Sequence, residues 1–374
     1  MTSLGHAERL VLAGSMCDIV PSLQEDLKSS LEHGDSLDYE QAWRLARGHK
    51  TLPLIARNFR EFGILHRLPD PAQESLEQAW ELNNVRNEFM YAYADRIVAG
   101  AAKRGVEVLV RKGLPLTMRA HGDRSSRAMA DIDLLVRKSQ VQPLVAFLRE
   151  EGFESWMSQT AQRMLILGGL NYPTMSKLTD NPACPELHIG VSVEYFERSH
   201  GFAYDIDAVF TRADRRSADE LPAADEIDFF FDVCAHFFKD AKSLASIEWG
   251  TDLRLYRFSD IARLARRLTG RALWPNCLDR AEENNLAEPI FFALWYAACI
   301  DAAALPAEVK DRLAPADRAY LHTYGETDRR VGTWPNQDVV GRIFDQSRAE
   351  HFAGTSRWAA MVPAEPIGPG GGTV

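Results

Sequence analysis

Two carboxylates sit on either side of one apolar residue in Asp131-Ile132-Asp133 and run straight into Leu134-Leu135-Val136. Side chains on a strand alternate faces, so Asp131 and Asp133 point the same way. The surrounding residues have the near-continuous apolar character of a strand covered on both sides. Such a strand tolerates paired carboxylates only where something positive sits between them, because the pair repels and resists burial. A divalent cation is the simplest such partner. Mg²⁺ prefers one or two protein carboxylates together with substrate phosphates, so the chemistry this pair points to first is phosphoryl or nucleotidyl transfer.

The residues upstream add a place for phosphate. Val106 to Arg111 reads as a short β-branched strand, and Lys112-Gly113 as a turn. Gly113 allows close backbone approach. Leu114 to Ala120 has room for one or two turns of helix, with Pro115 in the first turn. His121 to Arg127 is a polar, turn-rich loop in which Asp123 reads as a turn residue and His121 as a flexible-loop residue able to touch an acceptor. Arg127, four residues before Asp131, is within reach of a phosphate oxygen. Arg111, Lys112, Arg119, Arg124 and Arg127 together suggest a local basic site.

A second strand, Pro185 to Glu194, places Glu186, His188, Gly190 and Ser192 on one face. Two-metal transfer needs a further carboxylate near the attacking oxygen, and Glu186 is a better candidate than Glu194. A second Asp-x-Asp, Asp205-Ile206-Asp207, lacks an upstream Lys-Gly turn and reads instead as the cap of the next helix.

Taken together, Arg111-Lys112-Gly113, Arg127, Asp131-Ile132-Asp133-Leu134-Leu135-Val136 and Glu186-Leu187-His188 resemble a bacterial family of uncharacterised nucleotidyltransferases within the DNA polymerase β-type superfamily. The pattern departs from the wider superfamily in having Leu114, not serine, after the glycine. The resemblance implies an α+β fold with a small mixed-sheet core over residues 101–215; helical spacing adds a helical segment over 1–100 and a helical domain over 216–360, and Pro- and Gly-rich composition a disordered tail over 361–374. It implies that Asp131, Asp133 and Glu186 are catalytic and hold Mg²⁺ or Mn²⁺. Lys112, Gly113, Arg127 and His188 would bind the nucleotide, with ATP first among the NTPs. His188 could contact phosphate, orient Glu186 or meet the acceptor. The same family has a histidine and an Asp-Ile on two later helices. Here those are His236 and Asp260, read first as a buried His–Asp hydrogen bond that fixes helix packing, with a role in nucleotide or acceptor binding as the alternative.

Composition narrows the partners. A net charge of −10 argues against a general nucleic-acid binder and favours a small-molecule or peptide acceptor. Five scattered cysteines, Cys17, Cys184, Cys234, Cys277 and Cys299, without metal-ligand spacing suggest reduced thiols and a cytoplasmic protein. No stretch reaches the length of a membrane span, and Phe291 to Leu305 reads as a buried helix. Helical spacing predicts helices over 22–33, 38–47, 52–62, 72–104 and 141–151, and again through 225–330. Further strands are expected at 153–158 and within 164–175. The competing function is a nucleotide-binding regulatory module without chemistry; a third is a helical protein whose acids bind nothing.

Overall fold

A computed structural model describes residues 4–16, 38–155, 157, 172–195, 204–214, 220–325, 331–345, 347, 348 and 350. The expected helix at 22–33, the expected strand residues 164–171 and the tail lie outside these residues. Three helices open the described chain: α1 His6–Gly14, α2 Tyr39–Gly48 and α3 Leu52–Glu61. The α2 helix starts where Asp38 accepts the Gln41 N–H at 2.8 Å. Next comes α4, Asp70–Ala102, which ends at Gly105 with φ +70° and the Val106 N–H reaching back to the Ala101 carbonyl at 3.0 Å.

Four strands follow in one mixed sheet: β1 Val108–Arg111, β2 Asp131–Val136, β3 Tyr172–Leu178 and β4 Glu186–Ser192, in the order β1-β2-β4-β3. Between β1 and β2, α5 (Gly113–Leu116) widens into a π turn over Thr117–His121. After β2 comes α6, Val141–Glu150. The β2 strand pairs antiparallel with β1 and parallel with β4. Pro173 lies in β3, an edge strand, where a missing N–H costs no ladder bond, and the pairing shifts register between Tyr172 and Met175. Of the expected strand at 153–158, the described part contributes a single bridge, Glu154 to Ser176.

The remaining helices include α7 Ile206–Arg212, α8 Glu226–Lys242, α9 Leu244–Glu248, α10 Leu255–Gly270, α11 Trp274–Glu283 and α12 Ala287–Ala298. Asp205 caps α7 by accepting the Ala208 N–H at 3.1 Å, the role its sequence context suggests. The apolar run at 291–305 is buried, but its helix stops at Ala298; Asp301 then caps a short 3-10 turn and pairs with Arg266.

Two hydrophobic cores result. One joins Ile132, Leu134 and Val136 of β2 to α6 and the second half of α4. The other joins helices from both ends of the chain, including Phe59 and Phe237, and takes in Leu109 and Leu135 from the sheet. The sheet is therefore covered on both faces. Asp131, Asp133 and Leu135 share the face turned toward α8 and α10, and a cleft opens where that cover stops at the two acids.

Among the described residues no helix is long and apolar enough to cross a membrane.

Candidate functional site

Asp131 and Asp133 both line the cleft between the sheet and the helical layer. Register fixes their neighbours: Asp131 lies opposite His188 on β4, while Asp133 lies between Arg111 on β1 and Gly190 on β4. The Asp133 carboxylate meets Lys112 Nζ at 3.4 Å. The negative charge of Asp133, and then burial, push the Asp131 carboxyl above its ordinary range, against the pull of Lys112, Lys50 and Arg127. The pair is thus short of positive charge, which a bound cation would supply. All its donors are hard oxygens, the set Mg²⁺ prefers.

Gly190 makes room for this arrangement. A Cβ there would stand 2.9 Å from Asp133 Oδ1, closer than real contacts allow. Gly190→Ala is expected to push the carboxylate off its present position. It should weaken Mg²⁺-dependent nucleotide binding by about tenfold, roughly 1.4 kcal/mol, with a small change in stability. Titration calorimetry on parent and variant checks this; equal affinities would show that Asp133 tolerates the shift.

Lys112 and Gly113 form the turn ahead of α5. Lys112 adopts φ +45°, a conformation that costs a non-glycine residue energy and is kept here at the cleft wall. At Gly113 an added Cβ would meet Met129 Sδ at 3.1 Å and Arg127 Nη1 at 3.5 Å. Arg127 itself is carried by a loop that α4 clamps. Asn87 donates to the Arg127 carbonyl at 2.9 Å and Asn83 to the same oxygen at 3.1 Å. Asp123 shapes this loop as a turn residue, accepting from the Ser125 and Ser126 N–H groups at 2.7 and 2.8 Å.

The Arg127 guanidinium does not stand alone. Its Nε donates to Asp260 Oδ2 at 2.9 Å, and His121 Nε2 donates to Asp260 Oδ1 at 2.7 Å. Arg127, Asp260 and His121 are 8%, 1% and 3% exposed, so the three form a buried unit joining the π turn to α10. Burial works to raise the Asp260 carboxyl, but Arg127 and His121 hold it below its usual range. An ionised carboxylate only accepts, so the imidazole proton sits on Nε2.

This corrects two expectations. His121 is a buried packing residue rather than a flexible-loop contact, because the π turn packs it against α10. The histidine bound to Asp260 is His121, not His236. His236 faces Asp240, with Nε2 at 3.5 Å from Oδ2, and lines the cleft. The local basic site also differs from its expected form. Arg111 is buried and makes a two-pronged pair with Asp232 on α8; Arg124 pairs with Glu88, and Arg119 donates to the Ala224 carbonyl at 2.6 Å.

The sequence reading missed the cleft's other wall. Lys50, just after α2, and Arg254, Tyr256 and Arg257, at the start of α10, all line it. These residues come from the two helical ends of the chain, and only tertiary packing brings them to Asp131. Burial tends to raise the Tyr256 phenol, but Arg257, Arg127 and Lys50 outweigh it and leave it below its ordinary range.

Glu186 and His188 lie on the same strand face as Gly190, at the end of β4, and are about half exposed. Their side chains approach each other at 3.7 Å. Neither is among the residues lining the cleft. Glu186 stands two residues before the partner of Asp131, a diagonal step of about 8 Å between backbones from ordinary sheet spacings. Among the described residues, no three His, Cys, Asp or Glu side chains are gathered closely enough to hold a metal ion.

Burial also sets a pH response. Burial, then Arg348 and Arg254, lower His49 to about 4. Burial also lowers His121, and burial with Lys112 and Arg257 holds His236 well down. Each ring binds its proton less readily folded than unfolded. The contribution of these rings to stability is therefore expected to be fully present above about pH 6.5 and to be lost as pH falls toward 4, with His49 alone contributing roughly 3 kcal/mol. Urea unfolding at pH 7.5, 5.5 and 4.5 measures it. His49→Gln should flatten the slope; an unchanged slope would remove His49 from the account.

A family model described as an uncharacterised nucleotidyltransferase matches residues 35–300, a range that contains every cleft residue from Lys50 to Asp260. No curated protein matches the chain, and no solved structure does.

Proposed function

This chain belongs to the uncharacterised nucleotidyltransferase family, and we propose that its cleft moves a nucleoside monophosphate from an NTP, ATP first, to a hydroxyl of a small molecule or peptide, in a Mg²⁺- or Mn²⁺-dependent reaction. The observation that carries this reading is the Asp131–Asp133 pair on the cleft face, with Asp131 raised by its neighbour's charge. A divalent cation bound there, with the substrate phosphates completing its shell, would offset charge on the α-phosphate and on the departing pyrophosphate.

The side chains divide the remaining work. Asp131 and Asp133 would hold the nucleotide's cation. Lys112 keeps the Asp133 carboxylate in place and offers its ammonium to the phosphates. Gly113 lets the backbone come close to them, and Arg127, oriented by Asp260, presents its free edge. The acceptor oxygen attacks the α-phosphorus, the bond to the β-phosphate oxygen breaks, and pyrophosphate leaves. Glu186 takes the acceptor proton, with His188 beside it. Burial with Lys112 and Arg257 keeps His236 neutral, so in the cleft it offers the substrates a hydrogen-bonding ring rather than a positive charge.

The half-exposed position of Glu186, outside the cleft lining, supports a second reading in which nucleotide is bound without transfer. Calorimetric titration with each NTP plus Mg²⁺, followed by pyrophosphate release over a panel of hydroxyl acceptors, separates the two. Binding with release supports transfer. Binding without release on any acceptor supports the silent module. A folded protein that binds no NTP removes both.

A further inference from the structure

The cations nearest the acidic pair are already tied to carboxylates: Lys112 to Asp133 and Arg127 to Asp260. The opposite wall is different. Among the described residues neither Lys50 nor Arg254 has a carboxylate within ion-pair distance. Arg254 Nε is buried and has no hydrogen-bond partner. Arg257 is nine-tenths buried and lines the cleft; Nη2 is bound to Asp240 at 2.5 Å and Nε to Tyr256 Oη at 3.1 Å, yet Nη1 is buried without a partner. A buried guanidinium N–H left unmade is costly, and native structures rarely keep one unless something else fills it.

The backbone adds to this. Arg254 is the N-cap of α10 and makes no side-chain cap bond, so the first turn of a 16-residue helix begins at the cleft. The positive dipole end of the helix favours an anion. Of its first-turn N–H groups, that of Leu255 reaches His49 Nδ1 at a long 3.5 Å and that of Arg257 reaches the Arg254 carbonyl at 3.1 Å. Lys50 stands at φ +55° on the turn following α2, facing the same space.

We propose that Lys50, Arg254, Arg257 and the first turn of α10 form a phosphate-binding subsite, separate from Lys112 and Arg127, that takes the terminal phosphates of a polyphosphate. This assignment of the source rests on the nucleotidyl-transfer reading; the anion chemistry does not. The same donors would suit the phosphate of a phosphorylated acceptor. Burial, and the nearby cations, depress both Lys50 and Arg254 from their ordinary basicity, a cost that a bound polyanion removes. Arg suits this role because its planar fork can grip phosphate with two N–H groups at once.

The probe is inorganic tripolyphosphate without divalent cation, titrated into the full chain by calorimetry. The parent is expected to bind it, and Lys50→Gln and Arg254→Gln each to weaken it at least tenfold, with melting temperatures in plain buffer close to the parent's. Arg257→Lys keeps the charge facing Asp240 and should lose about as much, because one ammonium cannot replace the second N–H. Competition then identifies the source. Displacement of tripolyphosphate by Mg²⁺-free NTP assigns the subsite to the nucleotide tail, and simultaneous binding of both assigns it to an anionic acceptor. Either result supports the subsite. It falls if the folded parent does not bind tripolyphosphate or if all three variants bind it as the parent does. If NTP binds the parent and Asp133→Asn abolishes that binding while the three variants match the parent, the subsite fails and the transfer reading stands. If tripolyphosphate binds but no NTP does, the reverse holds.

Discussion

Asp133→Asn is expected to lower nucleotidyl transfer by about a thousandfold, since on the proposed reading it removes one of the two charges that would hold the cation, worth several kcal/mol in the transition state. The volume of the side chain hardly changes, so the loss is electrostatic. Lys112 loses its partner 3.4 Å away, and Asp131 loses the neighbour that raises its pKa. Without metal, relief of that repulsion should leave stability unchanged or raise it by about a kcal/mol. With Mg²⁺ and saturating NTP the order reverses. The parent gains about 2.7 kcal/mol at a hundredfold excess over Kd, and the variant gains much less. Glu186→Gln should behave differently: turnover falls while most of the nucleotide affinity survives, because Glu186 lies outside the residues lining the cleft. Melting curves of the three proteins with and without Mg²⁺-ATP read these differences. Equal responses from all three would overturn the assignment of the acids.

What could be read from the chain before folding follows from how local each signal is. The period-two placement of Asp131 and Asp133 needs only the strand they lie on, and β2 puts both on one face. The Gly105 stop of α4 and the Asp205 cap of α7 are equally local, each a contact between residues three to five apart. Lys50 and Arg257 carry no such mark. Each is one cation among many on a helical segment, and they share a cleft only because helices from both ends of the chain build one core. His121 was misread for a related reason. Gly122 and the polar run after it suggest an open loop, whereas the preceding residues stay helical in a widened turn that turns the imidazole inward to Asp260. Asp260 was correctly legible as a buried hydrogen-bonding acid, but choosing between His121 and His236 needed the packing of α10 against the π turn, and that is a tertiary fact.

Asp260→Ala is expected to cost about 3–5 kcal/mol of stability, the usual penalty for leaving one partner of a buried ion pair uncompensated. Two groups are stranded at once. Arg127 is 8% exposed and cannot turn to water without leaving the cleft, and His121 loses the partner that its Nε2 proton has among the described residues. Activity should fall further than the lost folded fraction explains, because Asp260 also aims the Arg127 guanidinium. The ring of Tyr256, 5.1 Å from that guanidinium, would remain beside it. Removing both charges tests the cause. Arg127→Met with Asp260→Ala should recover much of the stability, since no buried charge is then left unpaired, while transfer stays low for want of the guanidinium. Urea unfolding of the parent, both single variants and the double variant gives the coupling energy directly. Additive losses would mean that the two side chains stabilise the fold independently. A coupling of two kcal/mol or more, roughly the upper part of the range seen for directly contacting pairs, would show that Asp260 holds Arg127 at the cleft.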